Sequence, residues 1–284
     1  KIVSIVFKQD NQMRTAYEWA DALIFATIAA TIIRGYFMEA YNGMTEKAEA
    51  ISADYNEDGV VGADEAHAYV LKNEKSIDVP ITTSSWFLRQ KEIKINHNLE
   101  KATLKRVLSK MTEIEKSVFD SLISSTGLEI QETDRILMKI KSVIKKEKEF
   151  KEKAESAATK AQDYLDSIFK EIKFYLKERY PVFYSSYGIT HGPAKVMSSE
   201  MALKAKESML KHPKFELFKN AYKARDAATE VEEVWERRVV QLERLEYLVE
   251  TKLMELSLEK VSDDLKKRYK ELQDCESRPF FAIK

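Results

Sequence analysis

AATEVEEVWERRVVQLERLEYLVETKLMELS, residues 227–257, carries Val231, Trp235, Val239, Leu242, Leu245, Val249, Leu253 and Leu256 at steps of three and four. That spacing places eight apolar side chains on one stripe of an α-helix and leaves Glu, Arg and Lys on the other faces. A helix of this length with a single apolar stripe needs neighbours of the same kind, and the sequence supplies them. Glu132 to Tyr180 reads as one long helix or two stacked ones, with Ile136, Ile140, Val143 and Ile144 in the first half and Leu165, Ile168, Phe169, Ile172 and Leu176 in the second. Between the halves, residues 145–160 are mostly Lys, Glu and Ala, a solvated face. Further helices are expected over 66–73, 99–112, 113–124, 198–211, 213–223 and 261–275. Gly127 and the 181–193 stretch PVFYSSYGITHGP punctuate them. Long helices with single-stripe patterning predict an elongated helical bundle.

Composition agrees. In 284 residues there are only 7 Gly and 5 Pro, too few for the frequent turns of a β-sandwich or barrel. The glycines stand too far apart for GxGxxG or a phosphate loop. Lys+Arg and Asp+Glu balance at 47 each, which argues against nucleic acid as a partner. One cysteine excludes an intrachain disulfide and a Cys-rich zinc site and suits a reducing, cytoplasmic setting. The most apolar run, ALIFATIAATII (22–33), is only about a dozen residues against the roughly 20 of a bilayer span. It reads as a buried helix within Thr15–Met38 rather than a membrane element, with a membrane anchor over 15–41 as the weaker alternative.

Two stretches break the helical pattern. IVSIVF (2–7) is β-branched, aromatic and uninterrupted, the signature of a strand buried on both faces. A strand followed by a buried helix is half of an α/β unit, and almost no partner strand follows. The expectation is an α/β domain whose larger part lies upstream of Lys1 or in another chain. The second stretch, IDVPITTSS (77–85), is extended around Pro80, with Thr or Ser capping the helix that carries Trp86.

The sharpest local signal is DYNEDGVVGADE (54–65), which meets D-x-[DN]-x-[DN]-G-x5-E at every specified position. Ca²⁺ takes six to eight oxygens, and such a loop offers the side chains of Asp54, Asn56 and Asp58, the Val60 carbonyl, a water near Gly62, and both oxygens of Glu65. Gly59 permits the sharp turn. The alternative is an Asp/Asn/Gly turn that caps the following helix and binds nothing.

Histidines and the cysteine offer little catalytic promise. His67 follows Glu65 on a helix and packs there. His97 and His212 sit at helix ends, and only His191 stands in a His-Gly loop. Cys275 lies on a helix of charged residues with no glycine turn to expose it. HExxH and GxSxG do not occur, and the seven Lys of 139–153 read as a solvated helix face.

Over residues 17–90, the apolar helix ending at Arg34-Gly35, DYNEDGVV (54–61), ADEAHAYVL (63–71) and SIDVPITTSSWFLRQ (76–90) together resemble the C-terminal part of bacterial caspase-like cysteine peptidases of the legumain/caspase clan. KIVSIVF (1–7) is similar to the strand that follows the catalytic-cysteine region there. The resemblance is specific over about 75 residues and loose over the rest. It implies a cysteine endopeptidase whose His-Gly and Cys lie upstream of Lys1 or in a partner chain, since residues 1–90 contain no Cys.

Together these readings predict a mainly α chain: a short α/β remnant of a caspase-like domain over 1–90, then a helical arm over 91–284 that recruits protein partners. The alternative is a non-catalytic, calcium-binding helical adaptor.

Overall fold

The computed structural model describes residues 35–74, 79–91, 93–181, 199–258 and 261–278. The expected strand at 2–7, the apolar run 22–33, the 182–193 part of the loop with His191, and the apolar tail 279–283 lie outside the described residues. The chain is mainly helical. Its helices are α1 (35–42), α2 (Ala63–Asn73), α3 (Thr83–Gln90), α4 (His97–Glu100), α5 (Leu104–Leu108), α6 (Glu113–Thr126), α7 (Ile136–Arg179), α8 (Ser199–Leu210), α9 (Phe215–Leu258) and α10 (Asp263–Glu276). Among the described residues there is no strand, only two isolated bridges, Met44 to Ala50 and Thr103 to Arg135. Nothing among them supports a caspase-like α/β remnant.

The two long periodic segments form single helices of 44 residues each. A break expected between 223 and 227 does not occur, because Ala224, Ala227 and Ala228 are strong helix formers and no Gly or Pro interrupts them. The helix expected over 99–112 is instead two short ones. Leu104 and Lys105 donate their amides to the carbonyls of Asp134 (2.9 Å) and Glu132 (3.1 Å), so these groups are not available to extend α4. The helix expected at 113–124 forms as α6. Thr112 Oγ1 accepts from the Glu115 amide while the Glu115 carboxylate takes the Thr112 amide, and Gly127 ends it at φ 60°.

The described residues of 35–142 and 240–278 form one compact unit, and those of 143–239 another. The helix Asp263–Glu276 packs on Thr83–Gln90 and on Ala63–Asn73, so the C-terminal end belongs with the early helices. In the first unit Leu88, Ile93, Leu258 and Tyr269 form one cluster, and Ala40, Ala53, Ala66 and Tyr69 another.

In the second unit, the 143–179 part of α7 runs antiparallel to the 215–239 part of α9. Phe150 stacks on Trp235 at 5.0 Å between centroids, Lys151 meets Glu236 at 3.1 Å and Lys214 meets Glu171 at 2.6 Å. Leu165, Ile168, Ile172 and Ala221 are buried between them. Among the described residues no helix is long and apolar enough to cross a membrane.

Candidate functional site

The loop 54–65 enters α2 through Gly62. Its tight course comes from two left-handed residues, Glu57 (φ 60°) and Gly59 (φ 86°). Around them the polar side chains satisfy loop amides. Asp54 accepts from Asp58 (3.1 Å) and Gly59 (2.9 Å). Asn56 Oδ1 accepts from Asp58 (2.9 Å), Asp58 Oδ1 accepts from Val60 (3.0 Å), and Asn56 Nδ2 donates to Asp58 Oδ2 (3.1 Å).

Glu65 closes the loop from inside the helix. Its carboxylate is buried, accepting from Tyr55 (2.8 Å) and Asn56 (3.1 Å) on one oxygen and from Gly62 (3.1 Å) on the other. The Glu65–Gly62 bond is half of a helix-capping arrangement, so Glu65 serves the fold whether or not an ion is bound.

The structure thus gathers Asp54, Asn56, Asp58 and Glu65 onto one loop, with Val60 between them, its side chain exposed. Their hard oxygens have the chemistry Ca²⁺ prefers. Among the described residues, however, no three His, Cys, Asp or Glu side chains converge as a metal-ligating group. The loop carboxylates are turned onto backbone amides. Tyr55, beside Glu65, has its hydroxyl pushed up to about 12, by burial first and then by Tyr69 and Glu65.

Sequence reading missed what stands behind the loop. A Cβ on Gly62 would lie 2.5 Å from Asp64 Oδ1 and 3.0 Å from the Ser277 carbonyl oxygen, so glycine there allows the chain's far end to rest against the loop. Beside this contact is a cavity of about 180 Å³ within the first unit. Asp64, Ser84, Glu115, Tyr247, Tyr269 and Glu276 supply much of its polar lining, and Leu71, Val118 and Leu248 belong to its apolar lining. Glu276 sits on the first turn of α3, its oxygens accepting from the Ser84 amide (2.7 Å) and the Ser84 hydroxyl (2.6 Å). Ser85 Oγ and the Tyr247 hydroxyl are 2.7 Å apart, and the Arg89 guanidinium lies 3.6 Å from the Tyr247 ring centre.

Asp64 is pushed up to about 6. Burial is the main cause, with Glu65 and Glu276 adding repulsion and the Glu65 amide opposing them. His67 is held below its ordinary value by burial and donates from Nε2 to the Pro80 carbonyl at 2.9 Å, a packed neutral ring as its helix position suggested.

No nucleophile–histidine pair is present among the described residues. Cys275 is free and exposed on α10, and none of His67, His97 and His212 hydrogen-bonds to it. His97 lies at the surface near Glu100 and Lys101; His212 accepts from the Lys214 amide and packs edge-on against Tyr175. Comparison with protein-family models, with curated proteins and with solved structures returned no match.

Proposed function

We propose that this chain is a non-catalytic helical interaction protein whose loop 54–65 takes up Ca²⁺ as a structural clamp. The observation that carries the reading is the loop itself: two left-handed residues bend it, and Asp54, Asn56, Asp58 and Glu65 all turn their oxygens back onto it. Ca²⁺ would be held by those four side chains and the Val60 carbonyl. The ion would supply positive charge to three carboxylates that now share neutral amide donors. Because Glu65 is also the third residue of α2, ion binding would tie the loop to the helix start.

The interaction role is supported by the second unit, where large apolar side chains stand open to solvent. Phe174 is 63% exposed and Leu203 60%, and Phe169, Tyr222 and Val234 are also exposed. Phe169, Phe218 and Tyr222 adjoin ring to ring, 5.9 and 6.3 Å between centroids, and adjoining apolar side chains open to solvent, unlike scattered ones, mark a protein-binding surface. A peptidase role has no residue in the described chain to carry it.

The test is calorimetric titration of chelator-stripped protein with Ca²⁺. Saturable one-site binding that raises the melting temperature and is lost in Asp58→Ala is the expected result. Asp58 is chosen because it lies on the exposed loop, outside the helix-capping bonds of Glu65. Absence of binding in the parent protein would leave the loop a helix-capping turn only.

A further inference from the structure

The geometry points to a ligand site in the first unit's cavity that takes a primary alkylammonium group, its charge against Asp64 and Glu276 and its hydrocarbon stem along the apolar wall. Three observations converge on it, and none depends on the calcium reading.

The first is an open polar group. Tyr269 is only 6% exposed and lines the cavity, and its hydroxyl hydrogen-bonds to no described residue. The oxygen is not among the enclosed unpartnered atoms, so water reaches it, and a guest that replaces that water can take up the hydrogen bond.

The second is charge. Of the three carboxylates lining the cavity, Glu115 is neutralised by Lys252 at 2.8 Å. Asp64 and Glu276 have no Lys, Arg or His within ion-pair distance among the described residues. Their recorded donors, the Glu65 amide and the amide and hydroxyl of Ser84, are all neutral. Two carboxylates in a half-buried pocket without a counter-charge are costly, and a bound cation relieves that cost. The same charge repels anions, and a neutral guest would leave it uncompensated.

The third is shape and lining. Leu71, Val118 and Leu248 offer contact to a hydrocarbon, which a bare metal ion would not use. A volume near 180 Å³ is enough for a short chain and lies below the roughly 300 Å³ at which drug-sized pockets begin. The ring of Tyr269 adds a surface that cations favour, whereas that of Tyr247 already carries Arg89. An alkylammonium is presented equally by a free small amine and by the lysine side chain of a protein partner.

The experiment titrates the ¹⁵N-labelled full chain at pH 7.5, with chelator present, with n-butylammonium chloride and separately with 1-butanol, its uncharged isostere. Saturable shifts with n-butylammonium, at least tenfold tighter than with 1-butanol, are the expected result. Asp64→Asn should weaken n-butylammonium at least tenfold without lowering the melting temperature of the free protein, and Tyr269→Phe should weaken it several-fold. A parallel titration with N-acetyl-lysine methylamide separates the sources. Tighter binding than n-butylammonium identifies a lysine side chain, and weaker binding a free amine. Equal binding of the amine and the alcohol, no binding of either, or an Asp64→Asn variant that binds the amine as the parent does, overturns the proposal.

Discussion

Arg244 and Glu74 form an ion pair from which solvent is wholly excluded, 0% exposed on both sides. Arg244 Nη2 meets Glu74 Oε2, and Nη1 donates to the Glu74 carbonyl at 2.7 Å. The pair thus joins the middle of α9 to the residue that ends α2, satisfying a backbone carbonyl and a carboxylate with one guanidinium. Removing water from two charges is tolerable here because the planar fork returns several charge-assisted bonds.

Arg244→Met should therefore destabilise the protein by about 3–5 kcal/mol, since it leaves Glu74 buried without its guanidinium. Adding Glu74→Met should recover most of that loss. Urea denaturation of the two single variants and the double variant measures the coupling.

Asp64 sets a pH dependence of opposite sign to the usual carboxylate. Its folded value is raised to about 6 from 3.8, so between those values the folded state holds more proton than the unfolded chain. Its favourable contribution is fully present below about pH 4 and is lost as pH rises through 6. Because Asp64 is only half-buried, solvent screening reduces the effect to about 1 kcal/mol. Asp64→Asn should be more stable than the parent by about that amount at pH 7.5 and equal to it at pH 4. Urea denaturation at the two pH values checks both halves.

Glu57 has φ 60°, where an L-residue costs about 1–2 kcal/mol. Glycine escapes that strain and returns part of the gain as lost chain entropy. Glu57→Gly should raise stability by about 0.5–1 kcal/mol in the absence of metal, read from the urea midpoint.

Gly62 should behave in the reverse sense. Its φ of −79° suits any residue, so the cost of Gly62→Ala is purely steric. The new methyl would meet Asp64 Oδ1 and the backbone of Ser277, and backbone cannot swing away as a side chain can. A loss of about 1–3 kcal/mol is expected, seen as a lower melting temperature.

Much of the helical content was legible in particular residues. The stripe of Val239, Leu242, Leu245, Val249 and Leu253 is buried as its spacing required, and so are Ile136, Ile140, Ile144, Leu165, Ile168 and Ile172. Its outer end failed, because Val231 is 51% exposed: periodicity marks a face but not whether a neighbour reaches it. The Leu99–Thr112 pattern misled for a related reason, since the bonds that divide it come from residues 132–134. Of the candidate site, the side chains of the 54–65 loop could be named from local spacing. The cavity beside it could not, because Ser84 and Glu276 are 192 positions apart.

By itself the sequence determined the helical class, the long helices and the polar side chains of the 54–65 loop, because period, caps and turns act over a few neighbouring residues. Only the tertiary structure decided that Ser277 and Glu276 return to Gly62 and α3, that Arg244 is buried against Glu74, and that a cavity opens beside Asp64. Those relations depend on side chains far apart in the chain meeting in space. Their energy comes from excluding water between particular partners, and no local pattern records which partners those are.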